Sequence, residues 1–284
     1  MTDSNSGIVT AQMPGVFVLP MPVIIENRVF FENIDITPEE FYRKQQAGVR
    51  TSTSQPSPAA LMGMWDQLLE SHDEIVYIPM SSGLSSSCQT AMALAADYGD
   101  RVQVVNNGRI SVTQLLSVKE AVAMADRGCG AKEIKAELEA YGGDASIYIT
   151  VDTLEYLKKS GRVTPAAAAI GTVLNIKPIL SLQQDKLEAY AKVRGRKAAF
   201  QRMMEALQHN LDTKLYSADQ DGRIVLGMAA TQMPEDERKY WPDIFQGRFP
   251  RHQIVYAPLT LSIGAHTSAG ALGIGAIRYV AGDL

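Results

Sequence analysis

The sequence predicts an α/β protein that has an N-terminal domain built on a parallel sheet and a smaller C-terminal α+β domain. In the first half of the chain, short apolar strands alternate with helices, an order that favours a parallel sheet. After about residue 155, hairpins and single helices follow instead, which is typical of an α+β arrangement. We place the domains at residues 1–157 and 158–284, and we expect a ligand-binding cleft between them.

Local signals account for each element of the N-terminal half. The stretch GVFVLPMPVIIENRVFF predicts two short strands around an ENR turn. TPEEFYRKQQAG predicts a helix with a capping box of Thr37 and Glu40, and Ser57 begins the next helix, PAALMGMWDQLLES. EIVYIPM and RVQVVNN are apolar enough for strands of a parallel sheet, and two helices and the strand ASIYITV follow them.

The C-terminal half begins with an antiparallel hairpin, KPILSLQQDKLEAYAKV, which we expect to turn near Gln184 and Asp185. RKAAFQRMMEALQHNL predicts a long amphipathic helix, and PEDERKYWPDIFQGRF predicts a helix that Pro242 interrupts. GRIVLGMAAT and HQIVYAPLT predict strands. The segment LSIGAHTSAGALGIGAIRYV predicts a glycine-rich loop that leads into a last strand.

Composition and charge exclude several classes of protein. The net charge of −4 gives a nucleic-acid-binding role no electrostatic support. Neither cysteine lies in a CxxC motif and the four histidines are scattered, so we expect no disulfide framework and no metal site. The sequence lacks a secretion signal and a run of eighteen apolar residues. We therefore expect a cytoplasmic protein without stable membrane insertion, which is compatible with transient exchange at membranes.

Three polar stretches follow or precede predicted elements: TSTSQPS (51–57), SSGLSSS (81–87) and GAHTSAGALG (264–273). Serines before a helix can be ordinary caps, but a helix N-terminus can also hold an anion. Glycines around His266 would let the backbone approach a ligand closely. Turn chemistry explains each stretch alone equally well.

Known catalytic motifs fit these stretches poorly. A serine hydrolase using Ser85 and His266 is one alternative, but the glycine that closes the nucleophile elbow is missing after Ser85. The chain has no GxxxxGK[ST] phosphate loop. GALGIG lies too near the C-terminus to open a dinucleotide-binding unit. These observations favour a binding protein over an enzyme.

Taken together, the stretches resemble the DegV family, also called FakB-type fatty-acid-binding proteins. The resemblance spans the chain in order and rests on these motifs: TDSNS, TSQPS, SSGLSSSCQTA, LEYLKKSGRVTPAAAAIGTVLNIKPIL, AKVRGRKAA and AHTSAGALGIG. It implies a DegV-like two-domain fold that holds one long-chain fatty acid in an apolar interdomain tunnel. It also implies that this bacterial carrier presents the carboxylate to a separate fatty acid kinase, without a cofactor and without being an enzyme.

The resemblance also assigns residues. It implies that the carboxylate binds at Thr53, Ser54, Ser85, Ser86, His266 and Thr267. It connects Arg162, Arg194 and Arg196 with the head-group region or the kinase partner. A lipid sensor or transport protein without a kinase partner remains an alternative, and KVRGRK is equally a solvated charge run.

The sequence departs from the family pattern at three places. The family usually has an apolar strand before TDS, and this sequence begins at Met1 and Thr2, so either the sheet lacks that strand or the native chain starts differently. Ser86 stands where the family has glycine in its LSGT motif, and Ser268 and Ala269 replace the glycine and proline of HTGPG. The last two departures lie beside the predicted head-group residues, where we expect them to alter the backbone.

Overall fold

A computed structural model of the protein describes residues 1–9, 13–169, 175–182 and 186–280. Its strands are β1 (Thr2–Asp3), β2 (Val18–Leu19), β3 (Pro22–Ile25), β4 (Arg28–Phe31), β5 (Thr51–Thr53), β6 (Ile75–Tyr77), β7 (Val102–Val104), β8 (Ala145–Thr150), β9 (Ile176–Leu182), β10 (Leu187–Arg194), β11 (Ile224–Ala230), β12 (Gln253–Pro258) and β13 (Leu272–Arg278). Its α-helices are α1 (Pro38–Gln46), α2 (Pro58–Leu68), α3 (Ser87–Ala95), α4 (Val112–Asp126), α5 (Ala131–Ala140), α6 (Glu155–Ser160), α7 (Pro165–Ala168), α8 (Arg196–Leu211), α9 (Tyr216–Gln220), α10 (Glu235–Arg248) and α11 (Leu261–Thr267).

The N-terminal region contains the predicted parallel strands. β1 pairs with β2 and β6 with β7, both in parallel, and Thr2 bridges to Ile78 at the end of β6. Apolar side chains of α2 and α3, including Trp65, pack on one side of these strands. Side chains of α4 and α5, including Ile134, pack on the other side. The polar loops that follow β1, β6 and β7 therefore leave the same edge of this layer.

A small antiparallel sheet of order β4-β3-β5 lies next to the parallel strands. Glu26 and Asn27 both have positive φ at the turn between β3 and β4, which matches the turn geometry of a tight hairpin. The predicted ENR turn is therefore confirmed. β5 pairs with β3 and places Thr53 opposite Val23, so this sheet fixes the position of the TSQPS loop.

The C-terminal region is a mixed six-stranded sheet of order β10-β9-β8-β13-β11-β12. β11 and β12 are parallel and the other pairs are antiparallel. Helices α8 and α10 cover one face through Phe200, Leu207 and Phe245. The opposite face contacts the N-terminal region through α4, which packs on β11 and β13.

The sheet to which β8 belongs differs from the prediction. The sequence pattern predicted this strand in the parallel sheet of the N-terminal domain. It is antiparallel to both of its neighbours, β9 and β13, in the six-stranded sheet. Its partners lie well C-terminal to it, so local periodicity could not reveal them. The boundary at residue 157 stays a prediction, although β8 on its N-terminal side belongs to the C-terminal sheet.

Two helical predictions also need correction. Residues 261–267 form helix α11 rather than a loop, and every residue of this helix except His266 is buried. Pro242 lies inside α10 without ending it, because Trp241 and Phe245 anchor the helix on both sides of the proline.

The predicted turn at Gln184 and Asp185 lies outside the described residues. Over the described parts of the chain, no helix is long and apolar enough to cross a membrane.

Candidate functional site

A cavity lies between the six-stranded sheet and the loops at the edge of the parallel strands. One part of its wall is apolar and includes Leu157, Leu182, Leu187, Ile149, Leu259 and Ile263. The other part is polar and contains the predicted residues Thr53, Ser54, Ser85, Ser86, Arg162, His266 and Thr267. The structure therefore brings all six predicted carboxylate residues and Arg162 to one cavity, although they come from distant segments of the chain.

Thr53 and His266 are in direct contact at the polar end. Thr53 Oγ1 lies 2.8 Å from His266 Nε2, across 213 residues of sequence. β5 supplies the threonine, and α11 supplies the histidine near its C-terminal end. The side chain of Gln45 holds the two elements together, since its amide donates to the carbonyls of Gly264 and Ala265 and to Thr51 Oγ1.

Burial lowers the pKa of His266 to about 4, and the positive charge of Arg162 contributes to the lowering. The imidazole is therefore neutral near pH 7, with one ring nitrogen that donates and one that accepts. A neutral ring beside a fixed guanidinium can hydrogen-bond a carboxylate without adding a second full charge. A bound anion would in turn favour protonation of the ring.

The serine-rich stretch forms a tight turn that leads into α3. The amides of Leu84 and Ser85 both donate to the carbonyl of Ser81, and the amide of Ser87 donates to Ser85 Oγ at 3.2 Å. Accepting this bond does not engage the hydroxyl proton of Ser85, which the side chain can donate to a ligand. Ser85 therefore combines a local structural contact with an available donor at the cavity wall.

Ser86 has a different role from its neighbour. Its hydroxyl donates to Gln55 Oε1 at 3.1 Å, and Thr90 of α3 donates to the same oxygen. Ser86 precedes α3 but makes no side-chain capping bond to it. The serine that replaces the family's glycine thus ties the TSQPS loop to α3, through a glutamine that sequence reasoning did not single out.

Arg162 lies where α6 ends, after Gly161 in the left-handed conformation. Its Nε donates to the carbonyl of Leu84 at 3.3 Å, and Nη1 donates to the carbonyl of Ser160. The guanidinium thus links α6 to the serine turn and contributes positive potential at the cavity wall. This supports a head-group location for Arg162.

Arg194 and Arg196 do not line the cavity. Arg194 is exposed at the end of β10. Arg196 is largely buried, pairs with Glu237 at 3.4 Å, and donates to the carbonyl of Gly270. Arg196 therefore anchors the loop that follows α11, and of these two arginines only Arg194 is an exposed charge.

The loop after α11 keeps a glycine-like backbone in spite of its sequence. Ser268 has φ 67° and ψ 178°, a conformation that is essentially restricted to glycine. We expected the replacement of glycine to alter the backbone at this place. The backbone at Ser268 adopts a geometry that suits glycine, so the serine bears the strain.

Several polar residues around the cavity were missed. Asn5 and Ser262 line it and share a hydrogen bond of 2.6 Å, and Asn5 is in turn held by buried Asp3. Burial raises the pKa of the Asp3 carboxyl, while four donated hydrogen bonds favour its charged form. The TDSNS motif signalled this segment, but nothing local indicated Ser262 as its partner.

Side chains that could ligate a metal ion do not cluster in the part of the chain that the structure describes. Among residues 1–9, 13–169, 175–182 and 186–280, no group of three or more His, Cys, Asp or Glu side chains could hold a metal ion. Cys88 and Cys129 are both free thiols. Hydroxyls, one neutral imidazole and one guanidinium make the polar end suitable for hydrogen-bonding an anion.

The chain is similar to known proteins over nearly its whole length. A family model described as an uncharacterised protein of the DegV family matches residues 1–279. A DegV domain-containing protein of Streptococcus pneumoniae is 32% identical over an alignment of 289 residues, gaps included, and the alignment covers 98% of each chain. A solved structure described as showing fatty acid binding of a DegV family protein from Thermus thermophilus has a TM-score of 0.85 and 28% identity, covering 98% of each chain.

A second solved structure is described as DegV, a fatty acid binding protein from Bacillus subtilis. It has a TM-score of 0.82 and 25% identity, covering 98% of this chain and 97% of its own. Both solved structures are thus described in terms of fatty acid binding.

Proposed function

The chain belongs to the DegV family, as the resemblance of its motifs implied, and from this premise we propose that it binds one long-chain fatty acid in the cavity. The observation that carries the proposal is that Thr53, Ser85 and His266 line one cavity together with a set of leucine and isoleucine side chains. One charged end and one apolar wall match the two parts of a fatty acid.

The carboxylate would lie at the polar end. Ser85 can donate its hydroxyl proton to the carboxylate. Thr53 and the neutral His266 have two donor groups between them, and one is used in their mutual hydrogen bond, so the other is available for the ligand. Arg162 supplies positive potential nearby, since its charge already contributes to the lowered pKa of His266. Hydrogen bonds to a charged acceptor are the strong ones, so this end would fix the position of the head group.

The tail would supply most of the binding free energy. Burial of about fourteen methylene groups contributes roughly 11 kcal/mol at ~0.8 kcal/mol for each, before the costs of ordering the chain. The leucine and isoleucine side chains of the cavity wall provide the apolar surface for this burial. The head-group residues would therefore determine orientation more than affinity.

A hydrolase that uses Ser85 and His266 has less support. A catalytic serine needs a base within hydrogen-bond reach, and a third group must orient that base. Here His266 Nε2 contacts Thr53, and the described hydrogen bonds of the ring include no carboxylate. A pKa of about 4 also makes the imidazole a weak base near neutral pH.

The binding proposal can be tested by mass spectrometry of lipid extracted from the denatured protein. We expect the wild type to carry a long-chain fatty acid. A variant with Thr53→Val and Ser85→Ala should retain it about tenfold to a hundredfold less strongly, since hydrogen bonds to a carboxylate are lost but the tail stays buried. Thr213→Val with Ser217→Ala changes the same residue types at exposed positions and serves as the control. An extract of the wild type without fatty acid contradicts the proposal.

We further propose that the protein presents the carboxylate to a separate fatty acid kinase, which would transfer a phosphoryl group to it. The exposed Arg194 lies in the basic stretch KVRGRK and would contribute to docking, since complementary charge speeds encounter and fixes orientation. Arg194→Glu should slow kinase-dependent phosphorylation, more at low salt, and leave the lipid bound. Loss of lipid, or equal rates at all salt concentrations, contradicts the docking role.

A further inference from the structure

Glycine at position 273 opens the middle of the six-stranded sheet to the cavity. β13 is flanked by β8 and β11, where Gly273 is opposite Ile149 and Ala229. The residues on either side of it, Leu272 and Ile274, are buried and pack in the core beneath α8. Gly273 itself is partly accessible and lines the cavity, so its accessible surface faces the cavity from a central strand.

Close packing explains the glycines at two other positions on this face of the sheet, Gly227 and Gly275, but not at Gly273. A Cβ at Gly227 would lie 2.5 Å from Val112 Cγ1, and a Cβ at Gly275 would lie 2.9 Å from the carbonyl oxygen of Ser146. Close packing therefore requires glycine at both positions. At Gly273 the nearest atoms to a Cβ would be the carbonyl oxygens of Tyr148 at 3.5 Å and Ala229 at 3.7 Å, which is ordinary contact.

The backbone does not require glycine at position 273 either. Gly273 has no positive φ, unlike Gly270 at the preceding turn. Glycine inside a strand normally weakens it, and it often marks a site that a ligand approaches closely. Neither backbone geometry nor packing explains the missing side chain, and what glycine provides at this position is space beside Ile149 in the cavity.

We infer that Gly273 is a specificity-determining residue, which selects the fatty acid by leaving the cavity open where the alkyl tail crosses β13. This inference rests on the proposed fatty acid binding. A methyl or isopropyl group at this position would project into the cavity, because the sheet on both sides is fixed by continuous strand pairing. Chains long enough to pass this point would be excluded progressively, and shorter chains would still fit.

The experiment compares the wild type with Gly273→Ala and Gly273→Val. Each protein is stripped of lipid and offered an equimolar mixture of saturated fatty acids of different lengths, and the retained acids are identified by mass spectrometry. Gly63→Ala is the control, because Gly63 lies on α2 and a Cβ there would meet no neighbouring atom within 4 Å. Circular dichroism and thermal melting verify that each variant is folded.

We expect Gly273→Ala to shift the retained acids toward shorter chains. The ratio of the retained amount of the longest acid to that of the shortest should fall about tenfold, because the longest acid would lose the burial of roughly two methylene groups. Gly273→Val should shift the ratio further. Because a Cβ at this position makes only ordinary contacts, Gly273→Ala decides the test even where Gly273→Val fails to fold.

The two proposals fail in different ways. A wild-type protein that retains no fatty acid overturns the proposed function, and the inference about Gly273 with it. A wild type and a folded Gly273→Ala variant that retain the same chain lengths in the same proportions overturn the role of Gly273 alone, and fatty acid binding then stands. A shift of equal size in Gly63→Ala also overturns the specific role of Gly273.

Discussion

Helices α1 and α2 begin in a different way from α3 and α11, whose first turns lie beside the cavity. α1 and α2 are capped locally, since Thr37 accepts from the amide of Glu40 and Ser57 accepts from the amide of Ala60. α11 has no local side-chain cap, and the amide of Leu261 instead donates to the carboxylate of Glu32, 229 residues earlier in the chain. Likewise Ser86 before α3 bonds to Gln55 rather than to its own helix.

This difference shows where local sequence signals end. A side chain that caps its own helix can be read from neighbouring residues, and α1 and α2 were predicted for that reason. α11 has no such local signal, and it was predicted as a loop. Its contacts with distant segments place His266 beside Thr53.

Removal of the distant cap should have the largest effect on the protein. Glu32→Ala leaves the amide of Leu261 without its carboxylate partner, and we expect a loss of about 2 kcal/mol in unfolding free energy. Because α11 carries His266, retention of fatty acid should fall as well. Thr37→Ala removes a local cap, and it should cost about 1 kcal/mol and leave lipid retention unchanged.

Chemical denaturation and lipid extraction of both variants measure these effects. Equal lipid retention in Glu32→Ala and Thr37→Ala would show that the distant cap contributes only to stability. Equal stability losses would show that the distant and local caps do not differ in strength.

The sequence predicted the elements that depend on neighbouring residues, and it did not predict the contacts between distant segments. The hairpin of β3 and β4, helix α8 and the alternation of strands and helices depend on neighbouring residues and were predicted. The sheet position of β8 depends on pairing with β13, far along the chain, and was not. The site residues Thr53, Ser85 and His266 came from the family resemblance. Glu32 and Ser262 lie in no motif, and Gln55 lies in TSQPS but had no role assigned to it. All three were missed, since only their distant partners reveal their roles.

Relief of the backbone strain at Ser268, after α11, should stabilise the protein, with an effect smaller than the loss expected for Glu32→Ala. Ser268→Gly allows the same backbone at φ 67° without a Cβ, and we expect a gain of about 1 kcal/mol in unfolding free energy. Thermal melting and denaturant titration measure it. A matched change, Ser217→Gly on α9, should destabilise instead, because glycine is unfavourable inside a helix. A loss of stability in Ser268→Gly would mean that the serine side chain outweighs the strain.

Acidification should destabilise the protein through His266, because burial holds the pKa of its imidazole below the ordinary value. The unfolded chain takes up the histidine proton near the ordinary pKa of 6.5, but the folded protein does so only near 4. Between these values the unfolded state binds more protons, so this group reduces stability as the pH falls from 6.5 to 4.

The measurement is the difference in unfolding free energy between the lipid-free wild type and His266→Gln across this pH range. We expect the wild type to lose more stability on acidification. A bound carboxylate raises the pKa of His266 and should shrink the difference. Parallel pH profiles of the two lipid-free proteins would contradict the assignment.

The position of β13 in the sheet has a consequence for synthesis of the protein on the ribosome. β13 follows the other described strands in sequence, yet it joins β8 to β11 at the centre of the six-stranded sheet. His266 and Gly273 lie on this same segment, so the two halves of the sheet and the cavity wall that these residues form come together only after β13 has been synthesised. A growing chain therefore cannot assemble the cavity before β13 has left the ribosome.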